Sequence, residues 1–157
     1  MKTLADAFEH TLQDIYYAEK TMTKTMPKLQ EAANGKKLKD AIGEHLEETK
    51  SQVKVLEQVF KSLGKKPEGE KCDAIEGLIK ETDGIISEAS GAAKNAALLA
   101  ACQAVEHYEI ARYGTLREWA KVLGHEEAHD LLTGILDQEK AANSKLTNLA
   151  VSTINAQ

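Results

Sequence analysis

The stretch ACQAVEHYEIARYG, residues 101–114, opens as small and apolar as the core of a helix and then sets Glu106 and Glu109 one helical turn apart. Residues three apart share a face of an α-helix. Steps of three and four outward from these acids give Leu99, Cys102, Glu106, Glu109, Tyr113, Leu116, Ala120 and Leu123. That is one continuous inward stripe on a long helix, with two carboxylates on the side the helix buries.

The same walk finds matching stripes elsewhere. Near the start of the chain it gives Phe8, Leu12, Ile15, Glu19, Met22, Met26 and Leu29, and beyond Gly124 it gives Leu132, Ile135, Glu139, Ala142, Leu146 and Leu149. A second segment reads Ile42, His45, Thr49, Val53, Leu56, Phe60 and Leu63, with Glu48 three residues after His45 and on its side. Glycine and proline divide these segments at Asn34-Gly35, at Gly64 with the loose GKKPEGEKC, near SEASGAAKN and at LGHEE. Helices are therefore predicted over about 3–33, 36–63, 73–89, 92–122 and 126–154. Pro27 bends the first of them rather than ending it. Four long helices and one short one, with strand-like alternation nowhere, make an all-α bundle in a single domain over 1–157.

Composition agrees. Charged residues make up 29% of 157 and there are only two prolines, a balance suited to long helices. The net charge of −5 has no basic block, so nucleic acid is not an expected partner. No apolar run is long enough for a bilayer and no signal peptide is evident, so no membrane role is expected. Cys72 and Cys102 form no motif, and a reduced, cytoplasmic setting is the expectation.

The heights of the acids also match. Residues equally distant from the turn of an antiparallel hairpin lie at one level. Glu109 and Glu139 stand at equal separation from Gly124, about 22 Å along each helix at about 1.5 Å per residue. Glu19 and Glu48 stand almost equally far from the Asn34-Gly35 turn. Glu19, His45, Glu48, Glu106, Glu109 and Glu139 are thus expected at mid-height of one core. Buried carboxylates repel one another unless they share protons or hold cations. Two divalent ions supply four positive charges, the arrangement of di-iron and di-manganese carboxylate bundles. These six residues are the candidate metal ligands, and two iron or manganese ions the expected cofactor. Tyr16 and Tyr113 flank the site by one turn, while Glu44, Glu47, Glu57, Glu126 and Glu127 read as solvated face. His10, His107, His125 and His129 lie off the stripes or near helix ends, and Cys102 reads as a small buried hydrophobe.

The stretches LQDIYYAEK, EHLEETKSQVKVLEQVF, GEKCDAIEGLI, VEHYEIARYGTL and LGHEEA, in order over nearly the whole chain, resemble the YciE/YciF-type ferritin-like proteins. The resemblance implies a rubrerythrin-like four-helix bundle with an additional short helix in the crossover. It also implies a cytosolic bacterial protein associated with stress and commonly a homodimer. It places the ferritin-like ligand pattern on Glu19, Glu48, Glu106 and Glu139, with Glu109 as the extra acid of the third long helix. The chain departs from that pattern where Ser51 follows Glu48 and Ala142 follows Glu139, positions where histidine is usual. His45 and Glu109 are the residues available to replace them. Two functions stay open: a stress-related di-metal protein, an oxidoreductase of peroxidase-like type acting on oxygen, a peroxide or iron, and a dimeric structural or interaction protein whose carboxylate core is vestigial or metal-free. A mini-ferritin cage is disfavoured, because the short helix lies in the crossover and no basic tail exists.

Overall fold

In a computed structural model, which describes residues 1–155, α1 spans Leu4–Ala32, α2 Lys36–Ser62, α3 Asp73–Glu88, α4 Gly91–Val122 and α5 Glu126–Leu149, with a π-helical turn, Ala150–Ile154, continuing α5. A capping box starts α1: the Thr3 hydroxyl accepts from the Asp6 N–H while the Asp6 carboxylate accepts from the Thr3 N–H, satisfying donors that a helix start leaves free. Pro27 sits inside α1 without ending it. The α1–α2 turn passes through Gly35 at φ 84°, a region costly for any residue with a Cβ. None of the helices among the described residues is long and apolar enough to cross a membrane.

The long helices pack as two hairpins, α1 with α2 and α4 with α5, closed by α2 against α5 and α1 against α4. Their order around the bundle is α1, α2, α5, α4. Neighbours run antiparallel. Asn34, past the end of α1, meets Asn95 at the start of α4, and Lys37 at the start of α2 meets Thr153 beyond the end of α5. This direction depends on the crossover, which carries the chain back along the bundle. The strap after α2 docks on α1, where the Glu70 N–H donates to the Gln13 carbonyl at 3.3 Å. Lys65 pairs with Glu9 at 2.7 Å, and His10 with Glu70 at 2.9 Å. Gly69 lies so close that a Cβ there would stand 3.2 Å from the Tyr17 Cα. The short α3 then lies against α1 and α4, tied by Tyr17 to Glu76 at 2.6 Å and Lys28 to Asp83 at 2.6 Å. The architecture is the expected all-α, ferritin-like bundle with its short helix in the crossover.

The inward stripes of α1 and α5 are buried as predicted apart from the half-buried Leu149, and α4 differs only at Cys102 and Leu123, also half-buried. Helix α2 departs. Gln52 and Val59 are buried beside Ile42, Thr49, Leu56 and Phe60, whereas the predicted Val53 and Leu63 are only partly covered. Leu46 is buried as well, so the inward face of α2 is broader than the predicted stripe while keeping nearly the same centre.

Asn95 gives and receives: its Oδ1 accepts from the Asn34 N–H and its Nδ2 donates to the Asn34 carbonyl, both at 2.8 Å. Asn95→Ala strands both main-chain groups. A loss of about 2 kcal/mol is expected in urea unfolding, and an unchanged midpoint would contradict this pinning role.

Candidate metal centre

Each long helix brings polar groups to one level of the core. Helix α1 contributes Glu19, α2 His45 with Glu48, α4 Glu106 with Glu109, and α5 Glu139. Glu19, Glu106 and Glu139 are 0% exposed and Glu109 1%. The acids sit inside because their stripes are otherwise largely apolar, and turning them out would expose Ile15 and Met22 on α1, Tyr113 on α4 and Ile135 on α5.

His45, Glu106, Glu109 and Glu139 each offer a ligand atom, and these atoms all lie within 4.8 Å of one another. The His45 Nε2 is 2.8 Å from the Glu106 Oε1, yet neither atom is aligned for a hydrogen bond. Glu19 borders the group: its charge acts on both Glu109 and Glu139. Its Oε1 accepts a hydrogen bond of 2.5 Å from the Tyr113 hydroxyl, and its Oε2 has no partner. Four of the six predicted residues are thus brought to one place, with Glu19 at their border. Glu48 is not brought in with them. Its side chain is 36% exposed, 3.8 Å from His45 Nδ1 and 3.5 Å from Lys145 Nζ. Glu48 precedes the buried Thr49 by one residue, about 100° around the helix, which sets it at the rim.

Burial, and then their own mutual repulsion, sets the electrostatics. Glu19 is raised to about 7 by burial and by Glu106, against the Tyr113 hydrogen bond and His45. Glu109 is raised well above the carboxylate range by burial and by Glu19, Glu139 and Glu106. Glu139 is raised to about 10 by burial, Glu19 and Glu106. For His45, burial lowers the imidazole, but the Glu106 and Glu48 carboxylates outweigh it and raise it to about 10. At the rim, His45 is the main reason Glu48 is lowered. Without cations, then, the centre keeps protons at neutral pH.

The neighbours sort themselves. Tyr113 is 0% exposed and its hydroxyl is pushed well above 10 by burial and the surrounding acids, so it stays a donor to Glu19. Tyr16 instead donates to Glu57 at 3.0 Å and packs edge-on to Phe60, leaving Tyr113 as the phenol of the site. The Cys102 thiol is pushed up to about 12 by burial and Glu106.

Sequence reasoning missed the access route. A cavity of about 380 Å³ reaches His45 and Glu106 from the α2–α5 side, and Ala41 and Ala142 line it. Small residues at these two positions were the available signal, since a helical stripe does not show where side-chain volume is lacking.

Comparison with known proteins places this geometry. Protein YciF of Escherichia coli (strain K12) is 46% identical over 157 residues, with 99% of this chain and 95% of that one covered. The crystal structure described as that of the E. coli stress protein YciF superposes with a TM-score of 0.95 at 45% identity, covering 100% of both chains. The structure of YcfI from Rhodopseudomonas palustris matches with a TM-score of 0.91 at 51% identity, over 93% of this chain and 94% of that one. The family described as "Domain of unknown function (DUF892)" matches residues 3–157. With its helices, crossover and full length all shared, the chain belongs to this DUF892 family of YciF-type helical bundles.

Proposed function

We propose that this chain is a non-haem, two-metal carboxylate-bundle protein of the stress response, taking iron or manganese and acting on oxygen, a peroxide or iron itself. The observation that carries the reading is a set of stranded atoms. Both oxygens of Glu106 and of Glu139, Oε2 of Glu19 and both nitrogens of His45 are buried without a hydrogen-bond partner. Native interiors leave few such atoms, and here they gather at one centre. The charges also close: the four buried acids carry −4 when ionised, two divalent ions carry +4, and neutral imidazole ligates without adding charge. Oxygen donors with a single nitrogen suit iron and manganese. The stress role is carried over from the E. coli relative's description. A cytoplasmic homodimer is part of the proposal, the half-buried Leu78, Ile79, Ile85 and Ile86 of α3 offering apolar surface for a second copy.

When bound, a redox-active ion pair exchanges electrons with a small oxidant. The chain's residues supply what surrounds it. His45, Glu19, Glu106, Glu109 and Glu139 would hold the ions. The Tyr113 hydroxyl fixes one Glu19 oxygen and leaves the other free. Lys145 anchors Glu48 at the rim, and apolar walls limit water.

One observation favours a second reading, a structural protein with a metal-free core, which matches the provisional description of the R. palustris relative as structural. Pairing with Lys145 takes Glu48 out of the group, and shared protons alone can neutralise the acids that are left.

Metal loading separates the two readings. After incubation with ferrous or manganous ion and desalting, about two ions per chain are expected by elemental mass spectrometry. Glu19→Ala and Glu106→Ala should each lose more than half of that, and Glu48→Gln distinctly less. Content below about 0.2 ions per chain in the unsubstituted protein would remove the two-metal reading.

Stability against pH supplies the second test. Glu19 and Glu139 rise from 4.5 to about 7 and about 10 on folding. A carboxylate raised in this way stabilises the fold at low pH and loses that contribution as pH climbs through the folded value. His45 rises from 6.5 to about 10, so its contribution is complete below 6.5 and fades toward 10. All three act in one direction. The Tm of metal-free protein should fall steadily from pH 5 to 10, and added metal should flatten that fall by replacing the protons. A metal-free Tm independent of pH would contradict a buried, proton-sharing centre.

A further inference from the structure

The cavity that ends on His45 and Glu106 is larger than oxygen or hydrogen peroxide requires. Its volume is about 380 Å³, room for about a dozen non-hydrogen atoms at the roughly 30 Å³ that one water occupies in the liquid. That lies within the range of organic-ligand sites, about 300–1,000 Å³. Its walls are Met22, Met26, Leu29, Val105, Leu146 and Leu149, apolar and, at the methionines, adaptable. The inner end carries Glu106, whose side chain is 1% exposed, whose Oε1 lies 2.8 Å from His45 Nε2 and whose Oε2 has no hydrogen-bond partner. At the mouth stand Lys37, Asp40, Glu44, Glu48 and Lys145. With Lys36 bonded to Asp40 at 2.5 Å, three cations face three acids, so the rim attracts neither sign.

We propose that this cavity binds an uncharged aliphatic molecule of up to about ten carbons with one oxygen function at its end: an alcohol, an aldehyde or a hydroperoxide. The oxygen lies inward at His45 and Glu106, and the chain runs past Met22 and Met26 toward Leu149. A chain without an oxygen would leave the Oε2 of Glu106 unmatched. The proposal deepens the two-metal reading by naming the class of organic substrate that reaches the centre. Binding itself rests on the walls and does not need the ions.

The test is calorimetric titration of the full chain with 1-butanol, 1-hexanol, 1-octanol, 1-decanol and 1-dodecanol, metal-free and metal-loaded, with metal content measured on the same preparations. One molecule per chain is expected, with affinity rising about fourfold per added methylene as far as about ten carbons and then levelling. Leu149→Trp, at a half-buried position of the wall, should weaken decanol binding by about tenfold or more while leaving metal content unchanged. In crystals soaked with 8-bromo-1-octanol, the bromine should lie nearer Leu149 than His45. No binding by any alkanol, equal affinities for butanol and decanol, undiminished binding by a folded Leu149→Trp variant, or bromine at the inner end would each overturn the proposal. If that variant does not fold, the chain-length series and the bromine position still decide. Alkanol binding by a protein that takes up no metal would support the cavity and sink the two-metal reading, while full metal content without alkanol binding would do the reverse.

Discussion

Four carboxylates packed side by side in a helical core are the constraint around which this protein is organised. An ionised carboxylate left alone in such a place is so unfavourable that it takes up a proton or finds a cation. An apolar residue of similar size would often serve folding as well or better. Glu19, Glu106, Glu109 and Glu139 therefore belong to what the bundle does more than to what holds it together. Stability comes from the layers above and below: Phe8, Leu12, Leu116 and Leu132 are buried on one side of the acids, and Leu29, Leu38, Leu99 and Leu146 on the other.

The surroundings of the four acids differ in a useful way. On the α1–α4 side, Tyr113 grips Glu19. On the α2–α5 side, His45 and Glu106 face a cavity whose rim holds Glu48 and Lys145. One flank is thus held by a hydrogen bond and the other is lined by a cavity. The antiparallel order needed for this depends on the crossover: the strap and α3 return the chain along α1 so that α4 can start beside Asn34.

Most of the bundle was legible because each long helix has one dominant inward stripe. On α1 every predicted position is buried from Phe8 to Leu29, and on α5 every one from Leu132 to Leu146. Equal distances from the turns located the centre before any coordinates, since rise per residue is fixed by helix geometry. Helix α2 was the exception. Its inward face also carries Gln52, which hydropathy reads as surface, and Glu48 lies at the edge of that face rather than on it. The docking of the strap was hidden for another reason. It rests on a main-chain hydrogen bond from Glu70 to Gln13 and on a glycine pressed to a backbone, neither of which leaves a periodic mark. The cavity is a shortage of volume, and it exists only once Ala41 and Ala142 have neighbours.

Anomalous diffraction from crystals of the iron- or manganese-loaded protein, recorded on both sides of the metal absorption edge, tests the central claim most directly. Two peaks about 3.5–4 Å apart, enclosed by His45, Glu19, Glu106, Glu109 and Glu139, are the predicted result. Acids still buried together with no peak among them, or metal held only at surface carboxylates, would contradict it.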